Sequence, residues 1–408
     1  MSIEPSKDDA FLDLLLSAFG DSVLLGESIP ASCHSDWTGH AACRPLALVR
    51  PTSTQEVSKL LQLCNQHRRA VVPQGGMTGL AGGAVPTAES VALSLIKLSG
   101  VENVDQDAAT LTVRAGTTRV LGLEVVLADG RILDLMNSMI KNNTGYDLKH
   151  CFIGAEGTLG VITRAVLRLA PPQRESRTLL CALRDYPAAV SLLHRLRGTG
   201  LALEAFEVMW QDFYAMSCEW QSNQSPLPPS YPLYVLCEVE GDASHLEMVL
   251  AAALETGEVQ DAVMASTIKQ AQELWAIREA TGEFPVKLAP INFDISLPIA
   301  KIGDFVEAAG KLLTHRWPGI RIVNFGHIGD SNLHLTVDSN SLTENTSATH
   351  HAIETDIYGL VGEYRGSISA EHGIGLLKRE FLHHSVRPEA LNVMHALKQT
   401  FDPNNILN

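Results

Sequence analysis

Ala70-Val71-Val72-Pro73-Gln74-Gly75-Gly76-Met77-Thr78-Gly79-Leu80-Ala81-Gly82-Gly83 runs from a short apolar stretch straight into a glycine-rich loop. The apolar part predicts a buried strand. Glycines let backbone N–H groups approach phosphate oxygens closely and adopt positive φ. The spacing is neither the Gly-x-Gly-x-x-Gly of a Rossmann turn nor the Gly-Lys-Ser/Thr of a P-loop. Alone, the loop reads equally as a plain turn or as a phosphate cradle. A second loop, Gly154-Ala155-Glu156-Gly157-Thr158-Leu159-Gly160, sits between Cys151-Phe152-Ile153 and a strand predicted over 161–169. Two loops of this kind in one domain favour a dinucleotide held by backbone amides over two tight sheet connections.

Upstream, Ser53 and Glu56 have capping-box spacing, and Val57, Leu60, Leu61 and Cys64 fall on one helical stripe. Downstream, strands are predicted at 91–95 and 111–113. A hairpin is predicted over 123–135, turning at Asp129-Gly130 in type I′ geometry. Pro171-Pro172 is the best domain boundary. Beyond it lie helices near 188–197, 243–255 and 268–280, a strand at 234–240, a proline-rich loop at 222–232 and a helix from Pro388 to Thr400. The fold class is α+β in two domains, 1–171 and 172–408. The tail from about 366 is expected to pack back on the first.

The 408 residues are 45% hydrophobic and 19% charged, which excludes a disordered chain. A net charge of −15 disfavours nonspecific binding to nucleic acid or anionic membrane. No apolar run approaches the ~18 residues of a membrane helix. The acidic first twenty residues argue against a secretory or organellar leader. Seven cysteines without a Cys-x-x-Cys point to reduced thiols and a cytoplasmic location.

Gly326-His327-Ile328-Gly329-Asp330-Ser331-Asn332-Leu333-His334 is flanked by apolar residues on both sides. With a two-residue turn at Asp330-Ser331, His327 and His334 would face each other with Cβ atoms ~5 Å apart, as a shared divalent ion requires. A histidine pair in a hairpin is more often structural, so a third ligand is needed. Ser369-Ala370-Glu371-His372-Gly373-Ile374-Gly375 offers a carboxylate beside a histidine suited to proton transfer.

Together these clusters resemble the flavin-dependent D-2-hydroxy acid dehydrogenases of the vanillyl-alcohol-oxidase type, in particular the D-2-hydroxyglutarate and D-lactate dehydrogenases. The resemblance runs from about Trp37 to the end. It rests on 72–79, Lys141-Asn142-Asn143-Thr144-Gly145-Tyr146-Asp147-Leu148, 154–163, 326–334, 369–375 and Phe401-Asp402-Pro403. It implies an FAD-binding domain of two α+β subdomains and a cap domain with an antiparallel sheet. By the same resemblance FAD meets Pro73, Gly75, Gly76, Thr78 and Gly79, and Glu156, Gly157, Gly160 and Ile162. A zinc-like divalent metal sits at His327, His334 and Glu371. His372 is the base, and Arg278 clamps the substrate carboxylate. The metal polarises the 2-hydroxyl and the Cα hydride passes to flavin N5. The implied partners are a small 2-hydroxy acid and an electron acceptor, whether quinone, cytochrome or electron-transfer flavoprotein. Neither nucleic acid nor a transmembrane segment is expected, and a homodimer is left open.

The chain departs from the pattern at several points. Met77 replaces a small polar residue. Asn292 and Thr336 stand where relatives that grip a second carboxylate carry Lys and Asn. Ala115-Gly116-Thr117-Thr118 passes almost directly into Arg119-Val120, where the family has a helix and a third glycine-rich loop over the flavin. The rival expectation is therefore a non-catalytic relative that binds metal but FAD weakly or not at all. A zinc hydrolase is weaker still, for want of a nucleophile or oxyanion site.

Overall fold

Ser53 caps the helix Thr54–His67, its side chain accepting from the Glu56 amide at 3.2 Å. Glu56 in turn accepts from the Thr52 amide at 2.7 Å. Val57, Leu60, Leu61 and Cys64 are fully buried, as their spacing predicts. They pack on Val71, Val91 and Leu93 of a four-stranded sheet whose order is Val23–Leu24, Ala47–Val49, Val91–Ser94, Val71–Gln74. Phe11 and Leu15, from a helix Lys7–Phe19 that the sequence reading did not single out, complete this core.

The structure is a computed structural model that describes residues 7–105, 109–114, 120–170, 175–221 and 225–408. By its internal contacts the chain divides into two units. One is Met1–Pro171 with His372–Glu380 and Val386–Asn408; the other is Pro172–Glu371 with Phe381–Ser385.

The first unit holds a second, antiparallel sheet of Val101–Asp105, Thr110–Arg114, Val161–Arg168, Val120–Val126 and Ile132–Leu135. The hairpin lies where the sequence predicts it, with Val126 opposite Ile132. Its turn differs: Gly130 alone takes positive φ (87°), and its amide donates to Leu127 O at 2.9 Å. Asp129 instead accepts from the Arg131 amide through its side chain, so two-residue type I′ geometry gives way to a longer connection. The C-terminal tail returns beside Val71–Gln74, with Val71 N donating to Ile406 O at 2.6 Å. Buried Asp402 accepts from Lys398 Nζ and from the Ile406 and Leu407 amides. The Phe401-Asp402-Pro403 ending thus locks the tail in place.

The second unit is built on a seven-stranded antiparallel sheet, ordered Val259–Met264, Ser176–Leu183, Leu233–Glu240, Ala202–Trp210, Arg321–His327, Asn332–Asp338, Pro290–Ser296. Leu180, Met209, Tyr234, Leu236, Val323 and Phe325 cluster with residues of the helices Gln211–Trp220 and Ile268–Arg278. Among the described residues no helix is long and apolar enough to cross a membrane.

Candidate active site

Four neighbouring strands of the seven-stranded sheet set out the site. Asp294 pairs with His334, His334 with Phe325, and Phe325 with Met209, so these residues share one face. Glu207 pairs with His327 two residues along on the same face. The expected direct pairing of His327 with His334 is not found. The turn is longer, with a 3₁₀ segment Ile328–Asp330 and Ser331 at φ 69°, and this shifts the register by two residues. A shift of two preserves the face, because side chains alternate with period two. The two rings still meet, with centroids 5.4 Å apart and planes at 81°.

Glu371 joins them. One ligand atom from each of His327, His334 and Glu371 lies within 4.8 Å of the others, and His327 Nε2 is 3.9 Å from Glu371 Oε1. Buried Asp294 fixes the incoming segment, accepting from the Glu371 amide at 2.9 Å through Oδ2 and from the Ala370 amide through its carbonyl. Two imidazoles and a carboxylate suit zinc or a similar divalent cation, and three protein ligands leave a position for substrate oxygen. The residues present therefore fit the implied metal.

Arg278 ends the helix Ile268–Arg278 and is 7% exposed. Its Nε donates to Glu207 Oε2 at 2.7 Å, its Nη2 lies 3.4 Å from His327 Nε2, and its guanidinium stacks over Phe325. Glu207 Oε1 lies 2.6 Å from His327 Nδ1. Burial pushes the Glu207 carboxyl up, but the His327 hydrogen bond and the Arg278 charge outweigh it and hold it below the usual carboxylate range. The same hydrogen bond raises His327 above its ordinary value, against the opposing burial. The sequence reading missed Glu207. The available signal was an acidic residue inside the otherwise apolar run Ala205-Phe206-Glu207-Val208-Met209.

His372 follows Glu371 directly and opens the segment His372–Glu380 of the first unit. In that unit Gly75, Gly76, Thr78 and Gly79 form an exposed loop after the strand Val71–Gln74. Gln74 pins its base, donating to Cys33 O and Ala84 O. A Cβ on Gly75 would meet nothing within 4 Å, and Met77 takes φ 59°. The loop is exposed and has room at Gly75 for a ligand to come close to the backbone, so it fits an FAD pyrophosphate. Gly157 sits at φ 76°, and a Cβ there would lie only 3.1 Å from Pro73 Cγ, so the second glycine loop packs closely on the strand that leads into the first.

Other expected flavin contacts have structural roles. The Glu156 carboxylate accepts from the Ile374 and Gly375 amides, both at 2.8 Å. A Cβ on Gly160 would strike Val125 and Phe152, and Ile162 packs in the cluster around Leu123 and Phe152. The 141–148 motif lines a cleft of about 780 Å³. The expected missing segment falls on residues 115–119, outside the described residues.

Residues 172–408 match the FAD linked oxidases, C-terminal domain, and residues 45–119 match an FAD binding domain. The chain belongs to the FAD-linked oxidases. Within that family it is 35% identical to the D-2-hydroxyglutarate dehydrogenase of Bos taurus, over 91% of this chain and 78% of the relative. It is 31% identical to that of Stutzerimonas stutzeri, over 98% of each chain. FAD-dependent hydroxy acid dehydrogenases are thus its relatives over nearly the whole length. The latter alignment spans 456 residues against the 408 of this chain, so the relative carries residues with no counterpart here. Among solved structures, p-cresol methylhydroxylase with bound substrate matches with a TM-score of 0.74 at 16% identity, over 99% of this chain and 96% of the other. That likeness shows the α+β fold of this FAD-linked oxidase.

Proposed function

We propose that the chain oxidises a D-2-hydroxy acid to the 2-oxo acid, using FAD and a divalent cation held by His327, His334 and Glu371. The observation that carries this reading is the convergence of those three ligand atoms within 4.8 Å beside Arg278. When bound, the flavin takes the hydride from Cα and the cation stabilises negative charge on the 2-oxygen. Arg278 binds the substrate carboxylate through the Nη1/Nη2 end of its fork, since Glu207 holds Nε. His372 accepts the hydroxyl proton. The two electrons leave to a quinone, a cytochrome or an electron-transfer flavoprotein. Seven free cysteines agree with a reducing compartment such as the cytoplasm.

The substrate side favours monocarboxylates. Asn292 and Thr336 pair across adjacent strands, and the Thr336 hydroxyl donates to Asn292 Oδ1 at 2.9 Å. Neither position offers a cation for a second carboxylate. We therefore expect turnover of D-lactate-like acids with a dye acceptor, with D-2-hydroxyglutarate used less well. Steady-state assays over D- and L-lactate and D-2-hydroxyglutarate test this. Activity confined to L-acids, or dependent on NAD, overturns it.

A second reading, a relative that has lost catalysis, draws support from the FAD-domain match ending at Arg119 and from the gapped alignment. Purified protein with one FAD per chain excludes it. Colourless protein that cannot be reconstituted with FAD favours it.

A further inference from the structure

We propose that Glu207 is a positioning residue that ties the cation site to the carboxylate clamp, fixing His327 and Arg278 with one oxygen each. The proposal rests on the cation-assisted dehydrogenase reading above and deepens it.

The argument starts from burial. Glu207 lies inside the strand Ala202–Trp210 and is 3% exposed. A carboxylate in a sheet interior is costly unless it is paired and hydrogen-bonded. Its partners come from two separate elements: Arg278 Nε at 2.7 Å from the end of a helix, and His327 Nδ1 at 2.6 Å from the neighbouring strand. Both are residues to which the dehydrogenase reading gives a function.

The directions of the hydrogen bonds then settle the imidazole. An ionised carboxylate only accepts, so Nδ1 carries the proton and donates to Glu207. A guanidinium only donates, so Nε2, 3.4 Å from Arg278 Nη2, presents a lone pair. Nε2 is also the nitrogen 3.9 Å from Glu371 Oε1. Two independent contacts thus select one tautomer, with its lone pair aimed at the cation site. With a cation held there, the Nε2 lone pair that Arg278 Nη2 faces would be engaged, leaving an N–H of the clamp for another acceptor, the substrate carboxylate. Glu207 holds both partners in register through that exchange, so cation affinity and carboxylate affinity are linked through one buried side chain.

The test uses full-length protein and Co²⁺ as probe, read by its visible absorption. Glu207→Gln keeps the shape but removes the charge. It is expected to weaken Co²⁺ binding by about 10- to 100-fold, the range for outer-sphere partners of metal ligands. The KM for D-lactate should rise as well, and Glu207→Asp should recover part of both losses. A far-UV spectrum matching wild type shows that the variant is folded. Wild-type Co²⁺ affinity in folded Glu207→Gln overturns the proposal. His334→Ala separates the levels: if it loses Co²⁺ while Glu207→Gln does not, the cation site stands and the Glu207 role fails. If both bind as wild type does, the dehydrogenase reading itself fails. Should Glu207→Gln not fold, ¹⁵N-histidine spectra of the wild-type protein decide, with His327 assigned by His327→Gln. An Nδ1–H tautomer supports the proposal and an Nε2–H tautomer overturns it.

Discussion

The glycine loop at 75–79 and the sheet face around His327 are two candidate ligand sites built in opposite ways. The loop works with backbone: an exposed glycine-rich stretch, open space at Gly75, and Gln74 holding the base. The sheet face works with side chains from four strands and a helix end, tied together by buried Glu207 and Asp294. A backbone site is written locally, because the glycines are the site. A side-chain site is written in pieces that only the strand order assembles.

The largest effect that tests this contrast lies on the sheet face. His334→Ala removes one of the three proposed cation ligands, and a cation contributes several kcal/mol to charge stabilisation in reactions of this kind. At one tenfold step per ~1.4 kcal/mol, turnover should fall by about a thousandfold. Metal content should drop to background while any bound flavin remains, because the glycine loop belongs to the first unit. Elemental analysis and the flavin absorption band check both. Full metal stoichiometry in this variant would break the assignment of the face.

What the sequence made legible follows the same division. The helix over 54–67, the strand leading into the first glycine loop and the strand leaving the second were readable, because caps and apolar period act within a few residues. The stretch before the second loop was expected to be extended but forms the helical turn Lys149–Phe152. The turn at Asp129-Gly130 was not readable as type I′, because the Asp129 side chain took over the Arg131 amide and lengthened the turn. The His327 and His334 pairing was misread by two residues and yet kept its face. That is why the candidate ligands survived a wrong register. The roles of Glu207 and Asp294 stayed hidden because their partners lie 71 to 120 residues away for Glu207 and 77 away for Asp294, which meets Glu371. No spacing rule reaches that far.

A second test strikes the loop side. Relatives carry residues that this chain lacks, and the FAD-domain match stops at Arg119. If a relative's segment supplies two further donors to the pyrophosphate, each worth about 1.5–3 kcal/mol, FAD should bind roughly a hundred- to ten-thousandfold tighter once it is inserted after Thr118. Fluorescence titration of apoprotein with FAD measures the gain. A soluble yellow protein with tight FAD and no insertion would show that the loops at 75–83 and 154–160 suffice.

The smallest effect sharpens the comparison most, because it separates strain from binding within the loop itself. Met77 holds φ 59°, in the left-handed region where side chains other than Gly, Asn and Asp are strained by about 1–2 kcal/mol. Asn tolerates that conformation without the added chain entropy of glycine. Met77→Asn should therefore relieve part of the strain, about 0.5–1 kcal/mol, and raise the melting temperature of FAD-free protein by about 1–3 °C. FAD affinity should stay the same, because the loop offers backbone amides and the backbone keeps its shape. An unchanged melting temperature would mean that the loop relaxes away from φ 59° without ligand. A fall in FAD affinity would mean that the Met77 side chain contributes to the site, and the contrast between a backbone-built loop and a side-chain-built sheet face would no longer hold at this position.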